Sequence, residues 1–176
     1  MKKFLIVVDI QKDFVDGSLG TAEAQAMIPA AVEKIRKHEG KIFVTLDTHE
    51  ENYLETSEGR HLPVVHCVHD TEGWQLNSEI EKALVGHDVV TVKKGTFGNT
   101  ALPALLEKEA AGEEFEVELI GLCTDICVVS NALVIKSMLP EVPLKVDAAC
   151  CAGVSPETHN AALTVMRCCQ VEIENA

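Results

Sequence analysis

The chain has 176 residues, and 47% of them are hydrophobic, enough to predict one packed domain over residues 1–176. A formal net charge of −13 disfavours phosphate backbones and anionic lipid surfaces, so neither nucleic acid nor a membrane is an expected partner. The apolar run within the first residues, MKKFLIVVD, is too short for a signal peptide. This predicts a cytoplasmic protein whose seven cysteines are reduced thiols.

Apolar β-branched runs alternate with helical patterns along the whole chain. Residues 4–8 predict a first strand, which ends at the acidic turn beginning with Asp9. A helix over 27–38 and a strand over 41–46 follow, whereas residues 47–75 show no period and are interpreted as a functional loop. The later predicted elements are helix 77–85, strand 88–92, helix 100–110, strand 115–121, helix 125–139, strand 143–148, helix 156–168 and strand 170–173.

This alternation predicts an α/β fold, a three-layer αβα sandwich with a mostly parallel, roughly six-stranded open sheet of the Rossmann-like kind. Reactive groups in such folds gather beyond the carboxyl ends of the strands. Asp9 ends the first predicted strand, Lys94 closely follows the third, and Cys127 follows the fourth at the start of a helix. We therefore expect these three side chains to meet at one edge of the sheet.

An acid, a lysine and a thiol together are suited to nucleophilic chemistry. Asp9 can accept the thiol proton, and Lys94 can stabilise the thiolate of Cys127. The helix N-terminus after Asp125 adds a partial positive charge and free N–H groups for an oxyanion hole. We accordingly expect the pKa of the Cys127 thiol to lie below that of a free cysteine. The structural alternative is a packed core thiol, a turn acid and a solvated lysine.

A second cluster falls in the aperiodic segment. Asp47, His49, Glu58 and His66 place two carboxylates and two imidazoles within twenty residues, a donor set suited to zinc, iron or manganese. Asp47 and His49 are two residues apart at a strand end, so their side chains project to the same side. His61 is the alternative to Glu58 as third ligand. An acidic, solvated loop with incidental histidines is the competing interpretation.

Three segments resemble the signatures of one enzyme family. DIQKDF (9–14), KKGTF (93–97) and GLCTDICVVSNAL (121–133) are similar to the motifs of the isochorismatase-like cysteine hydrolases, in the same order and each at a strand end. Carried over to this sequence, the resemblance implies that Asp9 is the general base, that Lys94 is the charge-stabilising member and that Cys127 is the nucleophile.

The same resemblance implies a cis peptide bond between Leu122 and Cys123, with the backbone N–H groups of Cys123 and Cys127 forming the oxyanion hole. Phe14, in the first motif, and Phe97, after Lys94, are the expected aromatic contacts of a substrate pocket, although either can instead belong to the core.

Within the family, DTHEENYLETSEGRHLPVVH (47–66) resembles the metal-site pattern of nicotinamidases. This implies a zinc-assisted amidase of NAD salvage that converts nicotinamide to nicotinic acid and ammonia through a thioester, and that forms a dimer or tetramer. One departure is that nicotinamidases typically have a tryptophan just before the last metal histidine, where this chain has Leu62, Val64 and Val65.

Two alternatives remain open. The first is another hydrolase of the same family, acting on a different small amide, carbamoyl or vinyl-ether substrate; isochorismatases generally lack this metal pattern. The second is a non-enzymatic zinc or redox module, which the adjacent pair Cys150–Cys151 disfavours because such sites prefer C-x-x-C spacing.

Overall fold

The structure, a computed structural model, describes residues 1–176. Its six strands are β1 (Lys2–Val8), β2 (Lys41–Asp47), β3 (Val89–Lys94), β4 (Phe115–Leu122), β5 (Leu144–Ala152) and β6 (Glu172–Glu174). All neighbouring strands run parallel, in the order β3-β2-β1-β4-β5-β6. This is the strand order of a Rossmann-like sheet, and it confirms the predicted α/β class.

Helices cover both faces of this sheet. They are α1 (Lys12–Val15), α2 (Ala22–Lys37), α3 (Ser57–His61), α4 (Ser78–Ala83), α5 (Leu102–Ala110), α6 (Val129–Met138) and α7 (Pro156–Cys168). One buried apolar cluster lies between the sheet and α1, α2 and α4, and a second lies between the opposite face and α5, α6 and α7. Strands β1, β2 and β4 are buried on both faces over most of their length, which explains their continuous apolar runs.

The structure differs from the predicted elements at several boundaries, and it adds the short helix α1 within the acidic turn predicted after the first strand. Helix α2 begins at Ala22 rather than at 27, because the Thr21 side chain caps it by accepting a hydrogen bond from the Ala24 N–H. Segment 47–75 is not wholly irregular, since it contains a 3₁₀ turn at Tyr53–Glu55 and helix α3. Strand β5 continues to Ala152, and the fourth predicted helix opens with a π turn at Thr124–Val128 before α6.

The centre of the sheet, where β1 lies beside β4, is the point at which the strand order reverses. Gly121 in β4 has a φ of +126°, and a Cβ there would approach the Val8 carbonyl oxygen to 2.1 Å. Only glycine therefore allows β4 to lie this close to β1. Crevices at such reversal points are the usual ligand sites of open α/β sheets.

None of the helices has the length and apolar character needed to cross a lipid bilayer.

Candidate active site

Four reactive side chains converge at the carboxyl edge of the sheet. Asp9 directly follows β1, Asp47 is the last residue of β2, Lys94 is the last residue of β3, and Cys127 lies in the π turn after β4. The Lys94 Nζ atom lies 2.7 Å from Asp9 Oδ2, 3.2 Å from Asp47 Oδ1 and 3.4 Å from Cys127 Sγ. The structure thus brings together the acid, the lysine and the thiol, and adds Asp47 to them.

Lys94 is the cation at the centre of this group, and its side chain is only 1% exposed. The ammonium approaches Asp9 Oδ2 outside hydrogen-bond geometry, so this contact is ionic, while Thr45 Oγ1 donates a hydrogen bond of 2.6 Å to Asp9 Oδ1. Burial opposes the charge of Lys94, but the carboxylates of Asp9 and Asp47 hold the pKa of its ammonium above the ordinary value. Lys94 therefore stays protonated.

The expected low pKa of Cys127 is wrong for this structure. Burial raises the pKa of the thiol well above its ordinary value, and the Asp9 carboxylate raises it further, so that these effects outweigh the attraction of Lys94. Burial also raises the pKa of Asp9, even though Lys94 opposes that shift. A second negative charge beside Asp9 and Asp47 is unfavourable. The resting thiol is therefore neutral, and it would have to lose its proton in order to act as a nucleophile.

The turn that carries Cys127 has a fixed hydrogen-bond pattern. The Leu122–Cys123 peptide bond is cis, as the family resemblance implies. The Cys123 carbonyl accepts hydrogen bonds from the N–H groups of Ile126, at 3.1 Å, and Val128, at 3.0 Å. These two neighbouring donors are thus engaged, and the N–H groups of Cys123 and Cys127 remain the candidate oxyanion donors.

The loop beyond β5 is tied to the same turn. The Asp125 carboxylate accepts hydrogen bonds from the Val154 N–H at 3.1 and 3.2 Å. Thr124 Oγ1 lies 2.8 Å from the Nδ1 atom of His159, which belongs to α7. These contacts hold the turn that carries Cys127 between the loop after β5 and helix α7.

The four predicted metal ligands form one cluster beside Lys94. One ligand atom from each of Asp47, His49, Glu58 and His66 lies within 4.8 Å of the others. The Nε2 atoms of both histidines lie 3.6 Å from Glu58 Oε1. Because His66 Nδ1 has to donate its hydrogen to the Val64 carbonyl, 2.8 Å away, the lone pair of Nε2 faces the cluster.

His61, the alternative third ligand, lies outside this cluster. Its Nδ1 atom is 2.7 Å from the Ser57 carbonyl, within the exposed helix α3. Glu58 lies in the first turn of the same helix but points inward, and it is more buried than His61. The geometry therefore favours Glu58 over His61 as the candidate third ligand.

Aromatic rings hold the two imidazoles in place. The buried Tyr53 ring lies 4.7 Å from the His49 ring and 4.9 Å from the His66 ring, and its hydroxyl donates to the Leu62 carbonyl at 2.9 Å. The ring of Phe14 lies 5.3 Å from that of His66. Phe14 therefore supports a candidate metal ligand, and it also lines the neighbouring cavity.

A cavity of about 650 Å³ opens above these groups. Its inner end contains Cys127, Cys123, Asp47 and Glu58, while Phe97 lies at its outer part and is 45% exposed. Neither lysine nor arginine lines this cavity, because Lys94 lies beneath Cys127. Besides three histidines, the ionisable side chains on its walls are the carboxylates of Asp47 and Glu58 and the thiols of Cys123 and Cys127.

Sequence reasoning missed two polar side chains that position Asp47 and Asp9. The buried amide of Gln11 donates to the Asp47 carbonyl at 2.9 Å and accepts from the Asp47 N–H at 2.8 Å. Thr45 donates to Asp9, as described above. Both residues had a signal in the sequence, since Gln11 is a polar residue within the first motif and Thr45 interrupts the apolar strand KIFVTLD.

Asn131, in α6, is a third missed residue. Its buried Nδ2 donates to the carbonyls of Cys127, at 2.8 Å, and Phe97, at 3.2 Å, while its Oδ1 accepts from the Asn99 N–H at 2.9 Å. This side chain thus joins the turn that carries Cys127 to the loop that follows Lys94. Its place in the third motif was the only indication of this role.

The fold and the site together define a cysteine hydrolase. A buried thiol lies beneath an open cavity, and it shares one lysine with an acid that is able to take its proton. The isochorismatase domain matches residues 3–175, and the chain belongs to the isochorismatase family. An isochorismatase family protein of Bacillus subtilis, PncA, is 30% identical over 146 residues, which cover 76% of this chain and 78% of that protein.

Solved structures agree with this assignment. The nicotinamidase/pyrazinamidase PncA of Bacillus subtilis has a TM-score of 0.83 at 25% identity, covering 99% of this chain and 100% of that one. The pyrazinamidase of Pyrococcus horikoshii in complex with zinc has a TM-score of 0.75 at 25% identity, covering 98% of each chain.

Proposed function

We propose that this enzyme is a metal-assisted amidase that hydrolyses nicotinamide to nicotinic acid and ammonia through a thioester on Cys127, a reaction of NAD salvage. The observation that carries this proposal is the four-ligand cluster beside Cys127, at the inner end of one cavity. Similarity to the nicotinamidase of Bacillus subtilis and to the zinc-containing pyrazinamidase of Pyrococcus horikoshii supports it.

The walls of the cavity favour a neutral amide over an anionic substrate. A vinyl-ether carboxylate or a carbamoyl amino acid would need a cation to pair with its charge, but no lysine or arginine lines the cavity. The carboxylates of Asp47 and Glu58 would balance the two charges of a bound divalent cation, so the metal site would offer such an anion no net positive charge. Among the reactions of this family, amide hydrolysis of an uncharged ring compound is therefore the one that the charges support.

The donor set of the cluster fits a divalent cation. Two imidazole nitrogens and two carboxylate oxygens suit zinc, iron and manganese alike, and we propose zinc. The His66 tautomer fixed by the Val64 carbonyl directs a lone pair at the cluster, which is what a metal ligand requires. When bound, the cation would supply a Lewis-acidic contact for a pyridine nitrogen and so orient the ring.

The chain's own residues account for acylation. As the Cys127 sulfur attacks the carboxamide carbon, its proton passes to the Asp9 carboxylate. The N–H groups of Cys123 and Cys127 stabilise the oxyanion, and Lys94 balances the negative charge that develops at the sulfur. When the C–N bond breaks, Asp9 returns the proton to the departing amine, which leaves as ammonia.

Deacylation reuses Asp9 as a base. Asp9 removes a proton from a water that attacks the thioester carbonyl, the C–S bond breaks, and the proton returns to Cys127. The raised pKa of Asp9 suits it to both steps, because a carboxylate of ordinary pKa is too weak a base to take a proton from a thiol or from water.

Ammonia release from nicotinamide tests the proposed function directly. Metal-loaded enzyme is expected to release one ammonia per nicotinic acid, and to cleave nicotinamide at least about 100-fold faster in kcat/KM than an anionic carbamoyl amino acid. Activity on another small amide with none on nicotinamide would overturn the substrate assignment while leaving the nucleophile proposal intact.

Metal content distinguishes Glu58 from His61. Glu58→Gln is expected to lower metal affinity about 100-fold, because it removes an anionic ligand, whereas His61→Ala leaves affinity within about twofold. Chelator competition followed by elemental analysis measures both. A loss of metal in His61→Ala with none in Glu58→Gln would reverse the assignment.

The single domain, the cytoplasmic location and the dimer or tetramer stay predictions.

A further inference from the structure

The cavity is much larger than a bare ring amide. Nicotinamide has nine non-hydrogen atoms, and even if each takes the roughly 30 Å³ that a water molecule occupies in the liquid, the molecule fills only about 270 Å³. The cavity volume is about 650 Å³, which is the size of sites that enclose drug-sized ligands. More than half of it therefore remains beyond a nicotinamide placed at the inner end.

The unfilled outer part has an apolar rim. Leu62, Phe97 and Val154 line the cavity and are 37%, 45% and 58% exposed. They come from three separate loops, after α3, β3 and β5, which meet around one opening. Exposed apolar side chains are normally scattered singly, so three around the mouth of an active-site cavity indicate contact with an apolar ligand group.

Two features define what this rim can contact. No lysine or arginine lines the cavity, so a carboxylate or phosphate on the outer part of a ligand would have no permanently charged partner there. Leu62 also belongs to the segment in which nicotinamidases typically carry a tryptophan, and an aliphatic side chain there leaves more room than an indole. The outer part of the ligand is therefore neutral, apolar and of substantial size.

The chemistry at the inner end fixes where such a group is attached. This step rests on the proposed function, in which the ring nitrogen lies at the four-ligand cluster and the carboxamide carbon lies at Cys127. In a pyridine-3-carboxamide, C5 is opposite the carbon between those two anchors. A substituent on C5 is thus directed away from both of them and toward the mouth.

We propose that the enzyme accepts neutral pyridine-3-carboxamides that carry an apolar substituent on C5, of the size of a phenyl ring, and that Leu62, Phe97 and Val154 form the subsite for this substituent. The bond that is cleaved stays the carboxamide C–N bond. Binding of the substituent adds apolar contact without changing the reacting groups.

Parallel kinetics on nicotinamide and 5-phenylnicotinamide test the subsite. The wild type is expected to cleave 5-phenylnicotinamide with a kcat/KM at least equal to that for nicotinamide. Val154→Ser is expected to lower the ratio of the two kcat/KM values about fivefold, in favour of nicotinamide. Val85→Ser, which changes an exposed valine outside the cavity, is the matched control and leaves the ratio unchanged.

Binding to the Cys127→Ala variant gives a second readout that does not depend on turnover. Calorimetry is expected to show a dissociation constant about tenfold lower for 5-phenylnicotinamide than for nicotinamide, with a more negative heat-capacity change. Cleavage of nicotinamide together with failure to bind the phenyl compound would overturn the subsite and leave the proposed function standing. Failure to cleave or bind either compound would overturn both.

Discussion

Replacing Cys127 by alanine is expected to lower kcat for nicotinamide hydrolysis by about 10⁵-fold, because no other group in the cavity can form the covalent intermediate. Cys123 also lines the cavity, but the hydrogen bond from Lys94 goes to Cys127. Acid-quenched wild-type enzyme should carry one nicotinoyl group, detected by mass spectrometry and located on the peptide that contains Cys127.

Cys150→Ala is the matched control for this variant. Cys150 is buried like Cys127, but it belongs to the core beneath α2 and does not line the cavity. Its replacement should cost about 1 kcal/mol of stability and leave kcat unchanged. If Cys127→Ala kept more than a tenth of the wild-type kcat, Cys127 could not be the nucleophile.

Lys94→Met is expected to lower kcat about 10³-fold, because the charge that balances the developing thiolate is lost. Without Lys94, Asp9 would also be a buried acid without a counterion, so its pKa would rise further. The free energy of unfolding should fall by about 3 kcal/mol, as it does when one partner of a buried ion pair is removed. Steady-state kinetics and urea unfolding measure the two effects.

The adjacent Lys93→Met supplies the comparison. Lys93 is exposed, and its Nζ atom lies 4.9 Å from the centre of the Trp74 ring, on the surface. Its loss should change stability by no more than about 0.5 kcal/mol, with kcat within twofold of wild type. Equal losses of kcat in the two variants would contradict a specific role for Lys94.

The order and type of the strands and helices were predictable because buried parallel strands have continuous apolar runs, while helices show a 3.6-residue period. The boundaries of these strands and helices were less predictable. Residues 22–25 are mostly exposed and lack that period, so only the Thr21 cap marks the true start of α2. Strand β5 runs on through Ala149–Ala152, where alanine and cysteine give no β-branched signal.

At the site, residue type and position at strand ends were enough to select Asp9, Lys94 and Cys127, since parallel strands end at a common edge. Sequence could not reveal the pKa of Cys127, which depends on burial and on Asp47, a carboxylate predicted only as a metal ligand. Nor could it reveal that Asn131 bridges two loops, because a polar residue in a helix has many possible surroundings.

Strand ends carry Asp9, Asp47 and Lys94, while loops carry Leu62, Phe97 and Val154. The first three are fixed by the backbone ladder of the sheet, in which Asp47 pairs with Lys94. The others lie outside the ladder and can be substituted without shifting a strand. Selectivity and bond cleavage can thus diverge independently in evolution, and a designer who exchanges the three rim side chains would be redirecting an intact catalyst.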